Sequence, residues 1–162
     1  MSLEAAFHDH HRELVRLAGL LTGSREEAND IVAEIFARLL RADRPFLADN
    51  PLAYLRRAVV NETTSGRRKA ARRREIGDRI APPATSSAAE DGRVDEHEHV
   101  LAALRTLPTR QRTAIVLRFY HDLTEAQTAD AMGVAVGTVK SSVARGLASL
   151  RTALDEQEGA SR

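Results

Sequence analysis

The sequence predicts an all-α protein of two small helical domains joined by a flexible linker, with a helix-turn-helix in the C-terminal domain. Apolar residues recur at helical spacing in residues 1–75 and again in residues 99–156. Residues 76–98 are rich in Pro, Ser, Ala and acidic residues and lack an apolar period, which is typical of chain that does not pack. With 162 residues, 43% of them hydrophobic, the chain is long enough for two small cores. We therefore divide it into a domain at 1–75, a linker at 76–98 and a domain at 99–156.

The N-terminal domain is predicted to contain three helices. A first apolar stripe ends at Gly23, a residue that favours helix termination. Ser24 and Glu27 form a capping-box pattern before the second helix, and Asn50-Pro51 supplies an N-cap and a first-turn proline for the third. The residues expected in the core are Leu3, Phe7, Leu14, Leu17, Ala18, Leu21, Ala28, Ile31, Val32, Ile35, Phe36, Leu39, Leu40, Leu52, Leu55, Val59 and Val60.

The C-terminal domain is predicted to contain about four helices, the last two forming the helix-turn-helix. A helix that Pro108 closes precedes another around residues 114–119. Thr124 and Gln127 form a second capping-box pattern, and Gly133 tolerates the left-handed conformation that a tight turn requires. Ala129 is small enough to let the two helices cross closely.

The helix that starts near Val136 has the features of a recognition helix. Its apolar residues predict one buried face, made of Val139, Val143, Leu147, Leu150 and Leu154. The residues expected to face outward are Thr138, Lys140, Ser141, Ser142 and Arg145. These hydrogen-bond donors near a helix start are typical of a major-groove reader. The alternative is an ordinary helical hairpin whose Ser and Lys side chains keep a surface hydrated.

The net charge of +1 hides two basic blocks on either side of an acidic one. Residues 51–74 carry +7, residues 75–98 carry −5 and residues 99–150 carry +3. If the first basic block neutralises roughly four to six phosphates, log K falls with log salt at a slope of about −4 to −5. The chain has no cysteine, no secretory start and no apolar run of membrane-spanning length. We therefore expect a soluble, cytoplasmic, nucleic-acid-binding protein.

Two stretches of the chain resemble the sigma-70 family of bacterial RNA polymerase initiation factors, in its extracytoplasmic-function (ECF) type. Residues 107–151, LPTRQRTAIVLRFYHDLTEAQTADAMGVAVGTVKSSVARGLASLR, are similar to region 4 of the family. In the N-terminal half, SREEANDIVAEIFARLL is similar to region 2.2, and NPLAYLRRAVVNETTSGRRKAARRR to regions 2.3 and 2.4. The resemblance implies a transcription initiation factor, not an enzyme, that directs core RNA polymerase to promoters.

The resemblance also implies roles for particular residues. The implied core polymerase contacts are Asp30, Glu34 and Arg38. The implied minus-10 residues are Asn61, the loop from Phe46 to Asn50, Arg57, Arg67, Arg68, Lys69 and Arg72, with the loop accommodating an extruded base. The implied minus-35 residues are Thr138, Lys140, Ser141 and Arg145. For the acidic helix face the alternative is a solvated surface, and for the linker, which the family threads through the polymerase, it is a plain tether.

The chain departs from the family pattern at several positions. Ser142 stands where arginine is common, and Ala144 and Thr128 replace larger or aliphatic residues. In the N-terminal half, Ala33 stands where Gln is usual and Tyr54 where Trp is frequent. The departures in the C-terminal half predict a weaker or different upstream preference, and those at Ala33 and Tyr54 concern the polymerase contact and strand opening.

Two rival interpretations belong to other functional classes. A conventional regulator would use the same helix-turn-helix as a dimer on a palindrome, without being a polymerase subunit. A metal-dependent enzyme is suggested by His8, His10 and His11, and by His97 with His99 in the predicted linker. Neither histidine group has the surroundings of a known metal motif, so we expect no metal, no cofactor and no catalytic residue. The sequence leaves open the promoter recognised and whether an anti-sigma factor restrains the protein.

Overall fold

The structure, a computed structural model, describes residues 2–42, 44–75 and 94–160, and the side chains of 2–42, 44–66 and 96–160. Every regular element in these residues is helical, as the sequence predicts. The chain divides into two compact units, residues 1–85 and 86–162. Among the described residues no helix combines the length and the apolar character needed to cross a lipid bilayer.

The first unit is a bundle of three helices: α1 (Leu3–Thr22), α2 (Arg25–Arg41) and α3 (Pro51–Glu75). The predicted helix ends are confirmed. Gly23 ends α1 in the left-handed region, with φ of 76°. The Ser24 hydroxyl accepts a 3.2 Å hydrogen bond from the Glu27 amide, and Asn50 Oδ1 accepts a 3.0 Å bond from the Ala53 amide. These side chains satisfy amides at the first turns of α2 and α3 that have no partner within the helix.

The core of the first unit lies between the facing sides of the three helices. Its largest fully buried side chains are Leu14, Leu17, Val32, Ile35, Leu55 and Val59. Two predicted core residues are exposed, Phe7 at 43% and Leu40 at 70%, and four are half-buried: Leu3, Ile31, Leu39 and Leu52. Phe7 lies edge-on against Phe36 at a ring-centroid distance of 4.9 Å, near the end of the helical pair. At such an end the neighbouring helices cover a narrower strip than the apolar pattern suggests.

The second unit contains α4 (Val94–Thr106), α5 (Thr109–Ile115), a π-helical segment (Val116–Tyr120), α6 (Glu125–Met132) and α7 (Val136–Ala160). α4 begins at Val94, so residues 94–98, which we assigned to the linker, are helical. His97 and His99 therefore lie on a helix. The polar, acidic residues 94–98 carry no apolar period, which is why pattern alone missed this turn.

Arg112 is a buried charged residue that fastens the end of α4. It is 3% exposed and donates hydrogen bonds to the backbone oxygens of Leu104 (2.8 Å), Arg105 (2.9 Å) and Leu107 (2.8 Å). The last carbonyls of a helix have no intrahelical partner and carry partial negative charge, so a guanidinium is well suited to them. Arg112 thereby holds α4 to α5, on which the helix-turn-helix is built.

Candidate nucleic-acid interface

The helix-turn-helix has the local geometry that the sequence predicts. The Gln127 amide donates to Thr124 Oγ1 at 3.1 Å, and the Thr124 amide donates to Gln127 Oε1 at 2.9 Å, so both bonds of the capping box form. Gly133 has φ of 66° and ends α6, with its amide donating to Ala129 and Asp130 oxygens. Ala129 is buried, which allows the close crossing of α6 and α7.

The buried face of α7 differs from the predicted one. Ser142 is 6% exposed rather than outward-facing, and Leu147 is 42% exposed rather than buried. The cause is the close approach of α7 to α5 at Gly146, where a Cβ atom would lie 2.6 Å from Ile115 Cδ1. Only small side chains fit so near another helix, so the buried stripe runs through Val139, Ser142 and Gly146.

The four predicted minus-35 residues lie in the first three turns of α7. Lys140, Ser141 and Arg145 are exposed and Thr138 is half-buried. Ser141 and Arg145 are four residues apart and therefore neighbours on one face of the helix. The Ser141 hydroxyl donates to the Thr138 oxygen at 3.1 Å, and Lys140 Nζ lies 3.7 Å from Glu125 Oε2 on α6. The Glu125 contact was not foreseen from the sequence.

In the first unit, the start of α3 gathers aromatic, amide and cationic side chains on one surface. Tyr54, Arg57 and Asn61 are all exposed and follow helical spacing, so they share one face of α3. The Phe46 ring stands edge-on to Tyr54, with the ring centroids 5.5 Å apart.

Beside these rings is a pocket of about 310 Å³ that opens to solvent. Its lining residues are Leu39, Ala42, Arg44, Pro45, Phe46, Leu47, Ala48 and Tyr54. We name this surface, made of the pocket together with Arg57 and Asn61, the α3 face. Phe46 lines the pocket, and Arg57 and Asn61 follow Tyr54 along the same exposed face of α3.

Other predicted minus-10 residues take different positions. Asn50 is exposed, and its carbonyl oxygen is engaged in capping α3, which leaves the amide NH₂ group as its donor. Arg67, Arg68, Lys69 and Arg72 belong to the C-terminal part of α3, but their side chains lie outside the described residues.

The predicted polymerase contacts lie on the exposed side of α2, and two of them take part in ion pairs. Asp30, Glu34 and Arg38 are all exposed. Glu34 Oε1 is 2.7 Å from Arg41 Nη2, and Arg38 Nη1 is 3.3 Å from Glu62 Oε2 on α3. Arg38 thus joins the exposed side of α2 to the helix that carries Asn61. The ion-pair partners Arg41 and Glu62 were missed by the sequence analysis.

No group of three or more His, Cys, Asp or Glu side chains within the described parts of the chain is arranged to hold a metal ion. The ring of His11 lies against Phe7, with centroids 4.6 Å apart.

Comparison with known protein families covers both units. The family described as Sigma-70 region 2 matches residues 6–73, and the family described as Sigma-70, region 4 matches residues 97–150. The two matches fall one in each unit of the structure.

Curated relatives match over most of the chain. The ECF RNA polymerase sigma factor SigM of Mycobacterium tuberculosis is 33% identical over 150 residues, which cover 92% of this chain and 75% of that protein. The RNA polymerase sigma-E factor of Streptomyces avermitilis is 32% identical over 148 residues, which cover 90% of this chain and 80% of that protein.

Two solved structures have a similar fold. The sigma factor RpoE in complex with the anti-sigma factor NepR from Bartonella quintana gives a TM-score of 0.71 at 23% identity, covering 94% of this chain and 96% of that one. CnrH in complex with the cytosolic domain of CnrY gives 0.64 at 23% identity, covering 95% and 88%.

Both sigma-70 regions occur in this chain, and this does not favour the interpretation as a conventional dimeric regulator. Sigma factors are transcription initiation factors and not enzymes. This chain therefore belongs to the ECF type of the sigma-70 family, transcription initiation factors that bind core RNA polymerase and direct it to promoters.

Proposed function

We propose that the two units divide promoter recognition between them. The first unit, with residues 1–75, binds the minus-10 element and core polymerase, and the second domain, within residues 99–156, binds the minus-35 element. Of the acidic segment 76–98 between them, residues 76–93 lie outside the described residues and residues 94–98 belong to α4. The observation that carries this proposal is the α3 face, because it combines an open aromatic pocket with an amide and a guanidinium on one exposed surface. Stacking surfaces next to polar readers are what recognition of unpaired bases requires.

At the minus-10 element, we assign an extruded base to the pocket beside Phe46. Extrusion costs a few kcal/mol of lost stacking and pairing, which contacts to the displaced base and strand must offset. The Asn61 amide can donate to and accept from a base edge, while the Asn50 NH₂ group can donate. We assign Arg57, Arg67, Arg68, Lys69 and Arg72 to backbone phosphates, consistent with the +7 charge of residues 51–74.

At the minus-35 element, α7 would lie in the major groove with Thr138, Lys140, Ser141 and Arg145 at base edges and phosphates. Arg145 is the exposed guanidinium suited to bidentate contact. Since the Ser141 hydroxyl donates to its own helix, its oxygen is placed to accept from a base amino group.

At the polymerase, Asp30, Glu34 and Arg38 would form the docking side of α2. Glu34 and Arg38 must exchange their partners Arg41 and Glu62 for groups on the polymerase. Exposed ion pairs contribute roughly 0–1 kcal/mol, so the exchange costs little.

The two solved neighbours are each complexes, RpoE with the anti-sigma factor NepR and CnrH with the cytosolic domain of CnrY. We propose by analogy that an anti-sigma factor also restrains this chain. We also propose that this chain acts in the cytoplasm, where core polymerase and promoter DNA are found.

Run-off transcription with core polymerase tests the site assignments. We expect Asn61→Ala to reduce promoter opening, read by permanganate reactivity, by about tenfold, because a lost base contact costs about 1–3 kcal/mol. Arg145→Ala should remove dependence on the upstream element while leaving opening intact. The matched controls Asn29→Ala and Arg151→Ala, both at exposed helical positions, should behave as the unmodified protein. Wild-type activity in both test variants would reject the two assignments.

A further inference from the structure

We propose that Glu125 is a specificity-determining residue, whose carboxylate acts together with Lys140 to read a G·C base pair in upstream promoter DNA. This inference rests on the proposed minus-35 role of α7 and adds to it a residue of α6 and the identity of one base pair.

The two charges are held together at the surface of the helix-turn-helix, beside residues assigned to the minus-35 element. Glu125 is the first residue of α6 and Lys140 the fifth residue of α7, and Lys140 Nζ lies 3.7 Å from Glu125 Oε2. The side chain of Lys140 is 63% exposed and that of Glu125 is 42% exposed, so the pair bridges the two helices at the surface. Lys140 directly precedes Ser141 on the recognition helix.

Glu125 is not needed to satisfy the start of α6. The capping box between Thr124 and Gln127 already engages the amides of both residues. A carboxylate in the first turn also stabilises the helix by interacting with the positive end of its dipole, but any acidic residue in that turn would do the same. Its reach to Lys140 is therefore the feature that calls for a separate explanation.

A carboxylate on a DNA-facing surface restricts the sequences that the neighbouring lysine can bind. Ammonium only donates hydrogen bonds, and guanine offers it two adjacent acceptors, O6 and N7. Carboxylate only accepts, and in the major groove the cytosine N4 amino group is the donor with which Glu characteristically pairs. A G·C pair therefore presents acceptors and a donor next to each other, matching two opposite charges held side by side.

Other DNA contacts satisfy the pair less well. A phosphate can replace the carboxylate as the partner of Lys140. This exchange leaves the Glu125 carboxylate next to the DNA polyanion, so it adds little binding free energy. An A·T pair also has a donor for the carboxylate, the adenine N6 amino group, but it offers the ammonium only single acceptors, adenine N7 or thymine O4, instead of the adjacent pair on guanine. Glu125 thus lowers the contribution of Lys140 to binding of arbitrary sequence and preserves it at G·C.

The test starts from a pool of DNA duplexes that carry a randomised 12-bp block, about one helical turn. The full chain, reconstituted with core polymerase, selects the duplexes that it binds, and core polymerase alone gives the background. Lys140→Met identifies the position at which sequence preference is lost. We expect the unmodified protein to prefer G·C there by about tenfold or more, as one good base contact provides. Glu125→Gln, which keeps length but not charge, should relax that same position to below about threefold and leave the others unchanged.

Controls separate a specific role from a general effect of charge. Glu156→Gln makes the same change at an exposed position of α7 and should alter no preference. The double variant Glu125→Gln with Lys140→Met should be no more relaxed at that position than Lys140→Met alone. A uniform gain in affinity with unchanged preferences, or a position that is not G·C, would overturn the inference.

The Arg145→Ala variant distinguishes this failure from that of the proposed function. If Arg145→Ala relaxes its own position while Glu125→Gln relaxes none, the inference about Glu125 alone is wrong. If the unmodified protein enriches no upstream sequence, the minus-35 assignment and the inference fall together.

Discussion

Replacing Arg112 by methionine should unfold the second unit at much lower denaturant concentration. Methionine retains most of the side-chain length but none of the donors. The carbonyls of Leu104 and Leu107, bound by the guanidinium at 2.8 Å in a buried setting, would lose these bonds. The bond to the Arg105 carbonyl, at 2.9 Å, is partly buried and would be replaced by water more readily.

The expected magnitude follows from these bonds. The Leu107 oxygen would be a buried carbonyl left without its partner, which costs about 1–3 kcal/mol. The Leu104 oxygen keeps a 3.2 Å bond from the Leu107 amide and loses only its bond to the guanidinium, which is worth about 1.5–3 kcal/mol, so the two losses come to about 2.5–6 kcal/mol. Removing the guanidinium charge recovers part of the free energy that its burial costs. We therefore expect the free energy of unfolding to fall by about 3 kcal/mol. Because a domain of this size is stable by only about 3–10 kcal/mol, the loss is a large fraction of the total.

Tyrosine fluorescence provides a selective assay. The chain has no tryptophan and two tyrosines, Tyr54 in the first unit and Tyr120 in the second, so a Tyr54→Phe background makes Tyr120 the reporter of the second unit. With a urea slope of about 1 kcal/mol per molar, the midpoint should fall by about 3 M. Arg110→Met, at an exposed position of the same helix, is the matched control. Equal midpoints for the two variants would refute the structural role assigned to Arg112.

Three further substitutions probe packing, a buried hydroxyl and pH in the second unit. Gly146→Ala should destabilise the second unit by about 1 kcal/mol despite the better helix propensity of alanine, because the added Cβ lies 2.6 Å from Ile115 Cδ1. Calorimetry should show that stability recovers when Ile115→Val is added. A single Gly146→Ala variant that is more stable than the unmodified protein would contradict this contact. Thr128→Val should stabilise the protein by about 1 kcal/mol, since Thr128 Oγ1 is buried and has no hydrogen-bond partner in the described residues. Thr63→Val removes a 2.9 Å bond to the Val60 oxygen and should destabilise the protein. Changes of the same sign in the free energy of unfolding of both variants would refute the explanation. Burial raises the pKa of Tyr120 above 10.0, so the unfolded chain loses its phenolic proton first and the free energy of unfolding should fall as pH rises above 10. Tyr120→Phe should reduce this fall in a series of denaturation curves measured at increasing pH. An unchanged dependence on pH would exclude the phenol as its source.

Apart from the start of α4, the helices and their ends could be predicted from the sequence. Ser24, Asn50 and Thr124 cap helices as expected, and Gly133 forms the turn of the helix-turn-helix in the left-handed conformation. Such features depend on side chains and amides only a few residues apart, so a linear pattern contains the information. The minus-10 role that the sequence assigns to Phe46, Arg57 and Asn61 stays a prediction.

The contacts between helices were not accessible in this way. Burial of Ser142 and exposure of Leu147 follow from how closely α7 approaches Ile115, and Arg112 owes its burial to carbonyls up to eight residues earlier on another helix. The bridge from Glu125 to Lys140 requires the angle that the turn at Gly133 sets between α6 and α7. Apolar periodicity specifies which side of a helix avoids water. The depth of contact and the ionic partners depend on where the other helices dock, because close packing is a property of whole surfaces.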